Sequence, residues 1–245
     1  MRPEILFPYY APVTSLKGVG PKLAPALSAH VGTHVRDLTF FLPSGIIKRP
    51  LVTLGEARIG EIQTVKVRIA GYPPSPGKAP QRIDVFDDTG RLQLIYFHRI
   101  RGFEAQHPVG AERLISGKIE KFGQHLQMSH PDYIVDEAHA EDIPACEPVY
   151  PATLDLSSRM IRKFVQTALS TLPDLPEWQD KTLIDKYLWP TFNQALKSVH
   201  SPQSELDFSA DAKIRQRLAY DEALAHQLAL KSRKLHRQNT AARVI

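Results

Sequence analysis

Cysteine is almost missing from this chain. Cys146 is the only one in 245 residues, which excludes an internal disulfide and any cysteine-based zinc cluster. No apolar run approaches the ~18 residues needed to cross a bilayer. The opening Met1-Arg2-Pro3-Glu4 has no signal-peptide core, so a cytoplasmic protein with no membrane partner is expected. A phosphate-cradling loop of the form GxxxxGKS or GxxxxGKT is also absent. The nearest approach, Gly117-Lys118, continues with Ile119 inside a stretch that reads as strand. That absence disposes of a coincidence of letters. Asp136-Glu137-Ala138-His139 spells the acidic box of ATP-driven motors and follows the hydrophobic run Tyr133 to Val135. Such a box holds Mg²⁺ only beside a nucleotide gripped by the missing loop. The histidines His98, His107, His125, His130 and His139 are scattered without metal-ligand spacing, and no nucleophile and base stand together, so no catalytic or metal site is expected.

Charge is present but uneven. The formal net charge is +5. The stretch from Lys231 onward holds five basic residues (Lys231, Arg233, Lys234, Arg237, Arg243) and no acid. Without that tail the chain is neutral. The first 59 residues are locally positive. This is a modest lean toward nucleic acid.

Texture divides the sequence into three zones: a helical segment over 1–50, a strand-rich domain over 51–140 and a helical region over 141–245. In the first, Val13 to Leu16 leads into a glycine hairpin, Leu16-Lys-Gly-Val-Gly-Pro-Lys22, followed by apolar residues at helical spacing. Pro21 suits a first helical position, and Pro25 should kink that helix. A second helix over Val35 to Leu42 ends before Pro43. In the second zone Thr64 to Ile69, Arg82 to Phe86 and the start of Arg91 to Phe97 alternate as strands do. Leu114 to Phe122 and Leu126 to Val135 read as two more strands around Gly123, and residues 99–109 have room for a short helix. Five strands with a helix between the third and fourth is the order of an OB barrel, with a plain β-sandwich fragment as the other reading. The segment Tyr72 to Pro80 is too proline-rich for a strand. Beyond an acidic linker (Asp136 to Pro151), apolar stripes predict helices over Met160–Leu172, Leu183–Leu188 and Phe192–Val199, then a long one from about Asp211 to Arg237. The fold class expected is α+β: a five-stranded OB-fold barrel, preceded by a helix-hairpin-helix-like segment and followed by a helical region.

Two places could touch DNA. In the hairpin, Gly18 and Gly20 permit a tight turn whose backbone N–H groups face outward, an arrangement that suits a phosphate, and Lys22 adds charge. An ordinary turn between packed helices reads the same letters. After the third strand, Tyr96, Phe97 and Phe103 flank Arg99 and Arg101. Rings and guanidiniums on an OB surface are what unstacked bases need. Because Tyr96 and Phe97 are adjacent on a strand, one of them points into the core.

A series of short stretches resembles the N-terminal region of the RecG family of ATP-dependent DNA helicases. They are Leu16-Lys-Gly-Val-Gly-Pro-Lys22, Arg36 to Pro43 with Arg49 after it, Phe86-Asp-Asp-Thr-Gly-Arg-Leu92, and Tyr96-Phe97-His98. Val109-Gly110, Ser116-Gly-Lys118, Leu126 to Pro131, Pro148-Val-Tyr-Pro151 and Arg217 to Leu230 complete it. The resemblance spans essentially the whole chain in order. It implies a wedge domain that rides on stalled replication forks and splits strands in DNA repair and recombination. Phe97 matches the aromatic that stacks on fork bases, and Phe103 is offered as a second. Pro25 departs from the pattern. ATP and Mg²⁺ would belong to the family's motor domains, which would act in cis and have no counterpart here. The chain alone is expected to be a monomer that binds branched or forked DNA and hydrolyses nothing. Two rivals stay open: a self-sufficient OB single-strand DNA binder, and a protein-binding scaffold.

Overall fold

In the computed structural model, which describes residues 3–77, 79–98 and 100–239, alternation of apolar and polar residues builds the middle of the chain and helical periodicity builds both ends. Two short helices come first, α1 (Ala24–His30) and α2 (Val35–Thr39). The strands β1 (Gly45–Lys48), β2 (Leu51–Val52), β3 (Ile62–Gly71), β4 (Gln81–Phe86) and β5 (Arg91–Tyr96) lead to a single helical turn, α3 (Phe103–Gln106). Then come β6 (Glu112–Lys118), β7 (Glu120–Phe122), β8 (His125–Ser129), β9 (Tyr133–Val135) and β10 (Cys146–Val149). The helices α4 (Ser158–Thr171), α5 (Lys181–Tyr187), α6 (Phe192–Val199) and α7 (Lys213–Asn239) follow.

These elements form two compact units, Ile47–Glu147 and a unit made of Met1–Ile46 with Pro148–Ile245. The three consecutive zones of the sequence therefore regroup, because the first and third share one core. Leu16, Val19 and Leu38 from the early segment pack with Leu156, Ile161 and Phe164 from the later one.

The Ile47–Glu147 unit is the expected OB fold. Its sheet runs β7-β8-β5-β4-β3-β6-β9, with β2 beside β3. The five barrel strands are β3, β4, β5, β6 and β8, and α3 lies between the third and fourth of them. β5 and β8 pair in parallel, from Leu92 opposite Leu126 to Ile95 opposite Ser129. The barrel closes where β6 meets β8. A Cβ on Gly117 would lie 2.7 Å from Met128 Sδ and 3.2 Å from Pro131 Cα, so only glycine permits that approach. Val65, Val67, Ile83, Leu94, Ile115 and Met128 fill the interior.

Several boundaries differ from the sequence reading. The strand expected over Leu114 to Phe122 breaks at Ile119, whose side chain turns into the core. The strand expected over Leu126 to Val135 ends at Ser129, and β9 crosses to pair with β6, placing Leu114 opposite Val135. The helix expected to reach Leu42 stops at Thr39. Helix α1 begins at Ala24, so Pro25 sits in its first turn, where a missing N–H costs nothing and no kink arises. The segment expected to be linker contains β10, which pairs with β1. Asp136 caps a 3₁₀ turn by accepting the His139 N–H at 3.1 Å, so those four letters mark a capped surface turn.

Candidate nucleic-acid interface

Residues that share the outer face of the OB sheet follow from strand register. On β5 the inward residues are Leu92, Leu94 and Tyr96. Arg91, Gln93, Ile95 and then Phe97 fall on the other side. Arg82 stands opposite Ile95 and Asp84 opposite Gln93. Gln127 and Ser129 of β8 continue the same face.

The structure separates the three expected aromatics. Tyr96 and Phe103 are 6% and 5% exposed. Their rings meet at 5.4 Å between centroids, and Phe103 also packs on Tyr72 and His107. Gly102 (φ +73°) turns the chain so that the first residue of α3 plugs the barrel. Burial lifts the Tyr96 hydroxyl well above the ordinary phenol range. Neither ring presents a face to a base; they are the floor beneath the loop that follows β5.

Phe97 is the outward ring, with 60% of its surface in water. It is held from below. The Phe97 N–H donates to His130 Nε2 at 3.2 Å, and the two rings lie 5.1 Å apart at 47°. His130 itself continues the β5–β8 ladder, its N–H donating to Ile95 O at 2.9 Å. Arg101 and Ile100 are exposed beside this platform. The loop is tied to β4 by the Ile100 N–H, which donates to Gln81 Oε1 at 3.0 Å. Between the loop and the proline-rich segment is a concavity of about 510 Å³, lined by Tyr72, Pro73, Gln81, Arg82 and Ile100 among others. Arg99 lies outside the described residues.

Two residues that the structure brings to this face carried no signal in the sequence. His130 looked like one scattered histidine, and only the parallel β5–β8 pairing puts it under Phe97. Arg82 carried no signal beyond being polar on an alternating strand.

Gly18, Gly20 and Lys22 lie in the other unit. Gly18 adopts φ +94°, while Leu16 and Val19 on either side are buried. The helix expected before the hairpin is a single 3₁₀ turn, Val13–Ser15. Gly20 O accepts both the Leu23 and Ala24 N–H groups at 3.0 Å. Among the described residues no bond engages the N–H groups of Lys17, Gly18, Gly20 or Lys22, and both lysines are exposed. The inner side of the hairpin is packing and its outer side is open amide and ammonium.

Among the described residues no group of three or more His, Cys, Asp or Glu is placed to hold a metal ion, and no helix is long and apolar enough to cross a membrane.

No family model matches the chain. Full-length relatives do. It is 28% identical over 222 residues to the ATP-dependent DNA helicase RecG of Acidithiobacillus ferridurans, covering 89% of this chain and 32% of that protein. It is 28% identical over 236 residues to RecG of Bacillus subtilis, covering 93% and 33%. The chain thus spans about a third of the length of the curated relatives it matches. A RecG solved bound to a three-way DNA junction superimposes with a TM-score of 0.74 over 94% of this chain and 32% of that one, at 20% identity, which shows a shared fold. In sequence along nine-tenths of its length, and in the fold of its barrel and helices, this chain is similar to the N-terminal region of ATP-dependent DNA helicase RecG.

Proposed function

We propose that this chain is the DNA-handling, wedge-bearing portion of a RecG-type helicase, which recognises branched DNA and holds its strands apart. The observation that carries the reading is Phe97. It is an exposed aromatic on the outer face of an OB barrel, fixed by His130 and bordered by Arg82 and Arg101. Relatives along this length are named as DNA helicases, and the solved one is bound to a junction.

The magnitudes fit a wedge. Opening one base pair at a fork forfeits stacking of about 1.4 kcal/mol per step, and a base laid on an aromatic ring recovers about 1–3 kcal/mol. One ring can therefore hold a fork open without driving its advance. Net unwinding requires ATP and Mg²⁺ at a motor, and this chain contains no loop to cradle a nucleotide, so its own role is binding and positioning. Arg82 and Arg101 supply charge for the backbone. The open amides of Lys17, Gly18, Gly20 and Lys22, with the two ammonium groups, are a second phosphate contact on the helical unit.

A junction-against-single-strand comparison tests this. The chain should bind a three-way junction or fork at least about tenfold more tightly than a single strand of the same length at matched salt. Equal affinity for both would make it a self-sufficient single-strand binder.

A further inference from the structure

The OB face has a second exposed ring that the wedge reading leaves unused. Phe122 ends β7 at the tip of the β7–β8 hairpin and has 74% of its surface in water. It pairs with His125, and Glu120 pairs with Gln127. Gln127 in turn stands opposite Gln93. Register therefore puts Phe122 on the same outer face as Gln93 and Phe97, at the opposite end of it. Six residues of β5 separate the level of Arg91 from Phe97, roughly 20 Å along the strands, and two strand spacings, about 10 Å, separate them across.

The floor between the rings suits a nucleic-acid strand. Both carboxylates on it are engaged: Gln93 donates to Asp84 at 2.8 Å, and Ser129 donates to Glu120 at 2.9 Å with Gln127 at 3.4 Å. The two carboxylates keep their charge, and they are set among amides and a hydroxyl, with Arg82 and Arg91 exposed on the same face, Lys121 at the tip and a ring at each end. The hairpin that follows the fourth barrel strand is one of the loops with which OB folds hold oligonucleotides.

We propose that Phe122 is a second base-stacking contact, so that the outer face of the barrel carries one single strand leaving the junction from Phe97 to the β7–β8 hairpin. This rests on the wedge reading and adds the path and length of the strand. At about 3.4 Å per stacked nucleotide the span corresponds to roughly six nucleotides, inside the ~4–16 that one OB fold covers.

The test is fluorescence anisotropy of the whole chain on forks whose single-stranded arm has about two or about twelve nucleotides. The proteins compared are wild type, Phe122→Ala, Phe122→Leu, Phe122→Trp and Phe97→Ala. Phe122→Ala and Phe122→Leu should weaken binding to the long-armed fork by about tenfold and to the short-armed fork by less than about twofold, as expected for the loss of one base–aromatic stack. Phe122→Trp should bind like wild type, and Phe97→Ala should weaken both forks. If Phe122→Ala matches wild type on both forks while Phe97→Ala does not, the hairpin contact is refuted and the wedge reading stands. If wild type binds neither fork, both fall. A dimer that Phe122→Ala dissolves, with DNA binding unchanged, would assign the tip to a second copy and overturn the proposal. Because the ring is mostly in water, unchanged circular dichroism confirms that the variants fold.

Discussion

His130 braces the exposed ring of Phe97 through both its backbone and its side chain. Its Nε2 accepts the Phe97 N–H at 3.2 Å, its ring lies 5.1 Å from the phenyl ring, and its own backbone sits in the left-handed region at φ +48°. A non-glycine residue there costs of order 1–3 kcal/mol and persists where the surroundings impose it. His130→Gly should relieve that backbone cost while releasing the platform. Thermal unfolding should show a melting temperature no lower than wild type, while fork affinity falls several-fold as the ring loses preorganisation. A variant that binds forks as tightly as wild type would remove His130 from the site.

Arg49 and Glu147 sit near the two ends of the barrel unit and close on each other inside it. Arg49 Nη2 lies 2.6 Å from Glu147 Oε2 with the arginine side chain 3% exposed. Arg49 also reaches Asp132 at 2.9 Å and Ser116 Oγ at 3.1 Å. Removing Arg49 leaves the nearly buried Glu147 carboxylate without its cation, which costs about 3–5 kcal/mol, whereas removing Glu147 leaves Arg49 still paired with Asp132. Arg49→Met should lose about that much in urea unfolding, and Arg49→Met with Glu147→Leu together should recover most of it. A single variant as stable as wild type would show that the network contributes nothing.

In the helical unit, His200 is almost fully enclosed. Its Nε2 lies 2.8 Å from Thr39 O and its Nδ1 2.8 Å from the Tyr150 hydroxyl. The carbonyl can only accept, so Nε2–H donates and Nδ1 accepts from the tyrosine. Burial first of all pushes the imidazole pKa down to about 4, against a weaker opposing effect of the Thr39 hydrogen bond. The folded value lies below the unfolded ~6.5, so as pH falls the unfolded chain takes the proton first. Stability is full above about 6.5, declines toward 4, and the total loss is about 3 kcal/mol at 1.36 kcal/mol per unit. Urea midpoints across that window should fall with pH in wild type and stay nearly flat in His200→Gln. A flat wild-type profile would contradict it.

Charge at the face should be read out by salt. Arg82→Ala and Arg101→Ala should weaken binding to forks of any sequence, each reducing the slope of log affinity against log salt by about 0.7–0.9. The measurement is anisotropy at three or more salt concentrations; an unchanged slope would place those guanidiniums away from phosphate.

How much of this could be read from the letters depends on the range of the interaction that decides each feature. The OB strands were legible because alternation is local: Thr64 to Ile69 and Arg82 to Phe86 show their inward side residue by residue. The pairing of Tyr96 inward with Phe97 outward was open to the same logic, but which ring faced which way was left unresolved, because alternation fixes opposition and not direction. Phe103 was misleading for a different reason. An aromatic after an arginine-rich turn looks like a binding residue, and only closure of the barrel shows an open end for it to plug. Long-range pairings carried no local signal at all: β9 crossing to β6, β10 meeting β1, and His130 arriving beneath Phe97 through the parallel β5–β8 ladder. Pro25 illustrates the opposite error, where a boundary misplaced by three residues turned a favourable first-turn proline into an apparent kink.

The central claim is that the outward ring of Phe97 replaces the neighbour a base loses at a branch point. Its most direct test is the affinity of wild type, Phe97→Ala and Phe97→Trp for a fork and for a linear duplex of equal length at one salt concentration. The expected result is about a tenfold loss for Phe97→Ala on the fork, retention by Phe97→Trp, and no difference among the three on the duplex. Equal fork binding by Phe97→Ala and wild type would contradict it.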